Sequence, residues 1–263
     1  MNNYEFCVYW ILDRVKKDKV EKCIDYISVL DYGCGAGQII KRLRNYDIDA
    51  FGCDVFYEGG DYSQSVDPTL FDTAIIKKME DNIIPFDNDS FDFVINNQVL
   101  EHVANLQNVV SEINRVLKPG GVVLSLFPDK SVWREGHCGI PFLHWFPKKS
   151  YLRVYYAAAW RSFGFGYHKE NKSVMNWSQY WCDWLDKWTY YRTKQEISFT
   201  YDKYFCNLVH IEDYWLKLRF GERRIVAIPV TSLPISIQQL FVRKLGGLVF
   251  VADKPLISLD ENV

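Results

Sequence analysis

Between residues 28 and 127, short apolar runs alternate with amphipathic stretches, and the first changeover is the glycine-dense turn "LDYGCGAGQ" at residues 30–38. Such alternation dictates a parallel sheet. Each run is buried on both faces, and consecutive parallel strands need right-handed crossovers, normally helical. "ISVLDYG", "IDAFGCD", "FDTAIIKKM", "FDFVINN" and "VVLSLFP" read as five strands. "AGQIIKRLRNY" and "LQNVVSEINRVL" read as helices between them, the second stopped by "KPGG". Residues 5–27 form one further amphipathic helix ahead of the first strand. The predicted fold class is α/β, a doubly wound, Rossmann-like, mostly parallel sheet.

After Pro128 the rhythm breaks. Aromatic residues make up 16% of the chain, and eight of its nine tryptophans lie between Trp133 and Trp215. The predicted organisation is therefore a core over 1–128, a helical insertion over 129–204, and C-terminal strands and a helix over 205–263 that complete the sheet. Helices are expected near 148–163 and 176–195, and the insertion is expected to cap the carboxyl ends of the strands. "LVHIEDYWLKLR" reads as a further strand, "ISIQQLFVRKL" as a helix and "GGLVFVADKP" as the last strand.

A formal charge of −2 with no basic stripe argues against a nucleic-acid partner. The seven cysteines, Cys23 among them, are odd in number, scattered and without a C-x-x-C pair. That pattern speaks against a disulfide framework or metal site and for reduced thiols in a cytoplasmic protein. The N-terminal apolar run is broken by Asp13 and Arg14, so neither a signal peptide nor a transmembrane segment is expected.

The glycine turn lies where an open α/β sheet binds its ligand. Gly33, Gly35 and Gly37 permit a tight bend and keep side chains out of the ligand's path. A dinucleotide fingerprint would need a further glycine where Gln38 stands. Asp31, at the end of the first strand, would repel a pyrophosphate but suits an ammonium group. Asp54, at the end of the second, can bridge two ribose hydroxyls. A ligand with a ribose, an amino group and no phosphate is S-adenosylmethionine.

The run from "VLDYGCGAG" through "AFGCD" and "IIPFDNDSFDFVINNQVLEHV" to "EINRVLKPGGVVLSL" resembles the class I S-adenosylmethionine-dependent methyltransferases. The resemblance implies that Asp31 meets the methionine ammonium and that the Gly33–Gly37 backbone lines the methionine moiety. It also implies that Asp54 binds the ribose, with Val55 against the adenine and Glu80 or Asp81 facing the adenine amino group. Asn97 and Gln98 would border the methionine end. "REGHCGIPFLHW" is more loosely similar to methyltransferases of bacterial glycan and lipopolysaccharide clusters.

Methyl transfer from a sulfonium needs an acceptor held in line and, for a hydroxyl, a group to take its proton. Asp129, Glu135, His137 and His144 follow the fifth strand. His137, between Gly136 and Gly139, is the expected base, with His144 and Asp129 as the other catalytic candidates and Glu135 placed to orient the ring. Glu101 and His102 read as structural. Trp177, Trp181, Trp184 and Trp188 form one helical stripe that reads mainly as core. Lys148, Lys149, Arg153 and Arg161 read as a solvated face, with contact to a phosphate or carboxylate on the substrate as the alternative. The expected function is O-methylation of a small-molecule or glycan acceptor. The alternatives are a quinone, lipid or amine acceptor, or a cofactor-binding partner subunit without catalysis.

Overall fold

A computed structural model describes residues 1–22, 26–220 and 231–256. Cys23, the end of the expected N-terminal helix and the segments 221–230 and 257–263 lie outside the described residues. Seven strands form one sheet: β1 (Ser28–Tyr32), β2 (Asp49–Asp54), β3 (Ile76–Lys78), β4 (Phe91–Asn97), β5 (Leu117–Phe127), β6 (Cys206–His210) and β7 (Leu248–Asp253). Their order is β3-β2-β1-β4-β5-β7-β6, parallel except for β7, which runs antiparallel to both neighbours. The sheet is thus α/β and mostly parallel, and its order reverses at β1, flanked by β2 and β4.

Alternation along each strand feeds two apolar layers. Val29 joins Phe6 and Ile11 of α1 (Asn3–Lys22) and Ile39, Ile40 and Leu43 of α2 (Gln38–Arg44) on one face. Leu30 joins Val110 and Ile113 of α4 (Leu106–Val116) and Ile197 and Tyr201 of α7 (Lys194–Tyr201) on the other. A third apolar cluster packs α5 (Tyr151–Ser162) against α6 (Val174–Trp188) through Val154, Ala157, Trp177 and Leu185.

Three sequence expectations are corrected. In "FDTAIIKKM" the strand is confined to Ile76–Lys78, and residues Pro68–Asp72 form a short helix α3 instead. Asp67 caps that helix by accepting from the Thr69 N–H at 3.2 Å, and Pro68 at the first turn presets φ. "LVHIEDYWLKLR" is strand only to His210, after which Glu212 and Asp213 open helix α8 (Glu212–Phe220). The helix expected over 176–195 is two helices. Thr189 turns extended, and Thr193 starts α7 with a capping box shared with Glu196. A last helix, α9 (Ile235–Leu245), precedes β7. Among the described residues no helix is long and apolar enough to cross a membrane.

Candidate active site

The carboxyl ends of β1, β2 and β4 open into a cavity of about 800 Å³. Its floor is the turn after β1. Gly33, Gly35 and Gly37 all sit at positive φ, and a Cβ on Gly33 would run into the Val99 side chain. Only glycine meets both conditions without strain. Asp31 is 3% exposed and faces no cation among the described residues. Burial, reinforced by the nearby Asp54 charge, pushes its carboxyl well above the usual carboxylate range. Burial also raises Asp54, although its two oxygens accept the Gly35 and Phe56 N–H groups at 2.8 and 2.9 Å. Asn97 adds a buried carbonyl oxygen, Oδ1, with no donor. Two acids without an ion-pair partner among the described residues and an orphaned acceptor in one cavity suit a cationic, hydrogen-donating ligand.

Of the sequence-derived candidates, Asp31, Gly33, Gly35, Asp54, Val55, Asn97, Gln98 and His137 line this cavity. Gly37 sits one turn behind, capping α2. Glu80 and Asp81 are exposed and do not line it; their neighbours Met79 and Asn82 do. β3 is a three-residue strand at the sheet edge, and the backbone turns sharply there, with Asp81 and Asn82 both at positive φ. Asp129 is also turned away. It is buried and accepts a hydrogen bond from Ser131 Oγ at 2.9 Å. His144 packs on Tyr191, ring centroids 4.5 Å apart, and burial lowers its pKa to about 4. Neither Asp129 nor His144 joins the cavity.

The opposite wall holds a chain of titratable groups. Glu135 is fully buried and accepts three hydrogen bonds of 2.7 Å, from His137 Nδ1, the Tyr191 hydroxyl and the Cys138 N–H. Burial alone would raise this carboxyl, but the bonded and charged His137 and the other two donors outweigh it and hold the pKa at about 2. Burial likewise opposes charge on His137, and the Glu135 carboxylate overcomes it, so the histidine titrates above its ordinary value.

His137 Nε2 lies 3.3 Å from His102 Nε2. His102 Nδ1 lies 2.8 Å from the Trp188 carbonyl, which can only accept, so Nδ1 carries the proton. Burial, then the His137 charge, drops His102 to about 4, leaving its Nε2 a bare lone pair. The proton between the rings therefore belongs to His137 in the closed arrangement.

Glu101, beside His102, is 2% exposed with Oε2 unpartnered, and burial lifts it to about 7. Both residues line the cavity. A short 3-10 turn, Leu100–His102, just beyond β4 turns them inward. The tryptophan stripe divides. Trp177 and Trp181 are core, whereas Trp184 and Trp188 line the cavity with Tyr57 and Tyr190. Tyr57 packs on Trp188 at 5.0 Å, and Lys187 pairs with Glu58 at 2.8 Å, tying the loop after β2 to α6.

Residues 30–125 match the methyltransferase domain family. A sterol 24-C-methyltransferase, erg6, of Schizosaccharomyces pombe is 34% identical over 101 residues, which is 36% of this chain and 26% of that one. The demethylmenaquinone methyltransferase of Leptospira interrogans is 31% identical over 134 residues, 44% of this chain and 51% of that one. The chain thus spans between a quarter and about half of the length of these curated relatives. Among solved structures, the CurJ carbon methyltransferase shares the fold, with a TM-score of 0.50 at 13% identity, covering 93% of this chain and 53% of that one.

Proposed function

We propose that this chain, which carries a class I methyltransferase domain over residues 30–125, transfers the methyl group of S-adenosylmethionine to a hydroxyl oxygen of a small acceptor. The observation that carries the hydroxyl assignment is His137, held by the buried Glu135, opening into the same cavity as Asp31 and Asp54. The sulfonium supplies the electrophilic methyl carbon; the chain binds, orients and takes the proton. Asp31 and Asn97 Oδ1 suit the ammonium group, Asp54 the ribose hydroxyls and Val55 the adenine face. His137 Nε2 accepts the acceptor's proton, and Glu135 stabilises the imidazolium that results. When His137 is neutral, two lone pairs face each other across the ring pair, so its bond to His102 is lost and Nε2 is open to the acceptor.

The aromatic wall of Tyr57, Trp184, Trp188 and Tyr190 suits a ring that is apolar on its faces and hydroxylated at its edge. A sugar or a small phenolic ring meets that description. A quinol is the second reading, favoured by the ubiquinone biosynthesis O-methyltransferase of Maricaulis maris, to which the chain is 28% identical over 106 residues.

Incubation with methyl-labelled S-adenosylmethionine and a panel of sugars, sugar phosphates, phenols and quinols, read by mass gain, tests the activity. Product on a hydroxyl supports it, and product only on carbon or nitrogen overturns the hydroxyl assignment. Asp54→Ala tests the cofactor site separately. It loses the ribose hydrogen bonds together with the anchors on Gly35 and Phe56, so affinity for S-adenosylhomocysteine is expected to fall by about 1–3 kcal/mol. Unchanged affinity by calorimetry would remove Asp54 from the ribose site.

A further inference from the structure

A second cavity, of about 570 Å³, adjoins the first, and Tyr190 lines both. Its wall carries four cationic side chains, Lys130, Lys148, Arg153 and Arg192, and no carboxylate. Asp186 and Glu196 stand near enough to offset part of that charge, yet neither lines the cavity. The expectation that Lys148 and Arg153 belong to a solvated face is corrected for Arg153, which is 3% exposed. Its Nη1 pairs with Asp186, while its Nε is buried with no partner.

Arg192 spends its donors on main-chain oxygens of Leu100, Tyr190, Val103 and Ala104, so it has no carboxylate partner of its own. Lys148 donates to the Asp186 carbonyl at 2.8 Å and rests on the Tyr190 ring, 4.3 Å from its centroid. His144, at the back, brings its ring nitrogens toward the Lys130 and Val132 carbonyls without reaching hydrogen-bonding geometry.

Four like charges around one cavity, with Arg153 buried, Arg192 part-buried and Lys130 and Lys148 exposed, repel one another, and an anion bound among them offsets that repulsion. The hydrogen-bond donors without acceptors make the same demand. We propose that this second cavity binds the anionic group, a phosphate or a carboxylate, of the same acceptor whose hydroxyl reaches His137, with Tyr190 as the divide between the two subsites. This rests on the acceptor reading above and narrows it to an anionic acceptor, such as a phosphorylated sugar. Arginine and lysine together favour a phosphate, which takes forked donors and point charges alike.

The test is calorimetric titration with inorganic phosphate, and separately with acetate, at low ionic strength. Lys130→Gln and the double variant K130Q/K148Q are compared with the charge-matched K149Q/K172Q, whose lysines lie outside the cavity. Wild type and K149Q/K172Q are expected to bind the anion alike, and K130Q/K148Q at least tenfold more weakly, with Lys130→Gln in between. Stronger binding of phosphate than of acetate assigns a phosphoryl group, and the reverse assigns a carboxylate. Equal binding by K130Q/K148Q and K149Q/K172Q, or no binding by wild type, overturns the proposal. Should K130Q/K148Q fail to fold, Lys130→Gln alone decides, since Lys130 is exposed. S-adenosylhomocysteine affinity, measured on the same samples, is expected to be unchanged. Its absence in wild type would defeat the methyl-transfer reading while the anion titration still judged the cavity.

Discussion

Replacement of His137 by alanine is expected to lower turnover by roughly 10²–10⁴-fold, the usual cost of losing a positioned base. S-adenosylhomocysteine affinity should remain, because the cofactor groups belong to the ends of β1, β2 and β4, whereas His137 follows β5. The pH profile gives the independent check. His137 must be neutral to accept a proton, and Glu135 raises its pKa above 6.5, so the rate should climb with pH through a midpoint above that value. Glu135→Gln removes the carboxylate that holds the proton on the ring. Its acid limb should therefore move to lower pH even as the rate falls through loss of ring orientation. A merely structural role for Glu135 would lower the rate without moving that limb. If His137→Ala loses less than about tenfold and its acid limb persists, the acceptor's proton leaves to water and proximity alone drives the transfer.

The cofactor side was the legible part of the sequence because each of its groups is fixed by something local. Asp31 and Asp54 are the last acids of apolar runs, and the glycines follow within a few positions, so strand ends and cavity-lining residues coincide in the chain. Glu80 and Asp81 failed for the same reason in reverse. Past a short edge strand, register is weakly set, and a one-residue slip sends a side chain to the other side. The acceptor side depends on contacts between distant segments. His102 meets His137 across 35 positions of sequence, a contact that exists only because β4 and β5 are parallel neighbours whose carboxyl ends point the same way. That pairing could have been drawn from the expected topology, and with it the inward aim of "LEH". The tryptophan stripe was ambiguous because it is wider than one contact face. Trp177 and Trp181 turn to α5, while Trp184 and Trp188, one and two turns further on, turn to the cavity.

Glu101→Gln is expected to make the protein more stable, and increasingly so as pH rises. Glu101 is held at about 7 by burial, against an ordinary value of 4.5, so between those values the folded state binds more protons than the unfolded chain. Stability then falls with rising pH across that window and levels above it, by on the order of 3 kcal/mol for this one group. Glutamine keeps the shape and never ionises, so the variant lacks that loss. The stability difference between variant and wild type, from urea unfolding at pH 5 and pH 8, should therefore widen by most of that amount. A difference that does not change with pH would mean that Glu101 is ionised and partnered throughout. After the hydrogen bond from its own backbone N–H, the His137 charge is the next influence favouring ionisation, so His137→Ala should push the Glu101 transition still higher. A carboxylate that costs stability with its Oε2 unpartnered, set in the cavity beside the base, is best explained by what it does for a ligand. It can accept a hydrogen bond from a second hydroxyl of the acceptor, so Glu101→Gln should raise the acceptor KM more than it lowers kcat. A loss confined to kcat would instead place Glu101 in the proton path with His102 and His137.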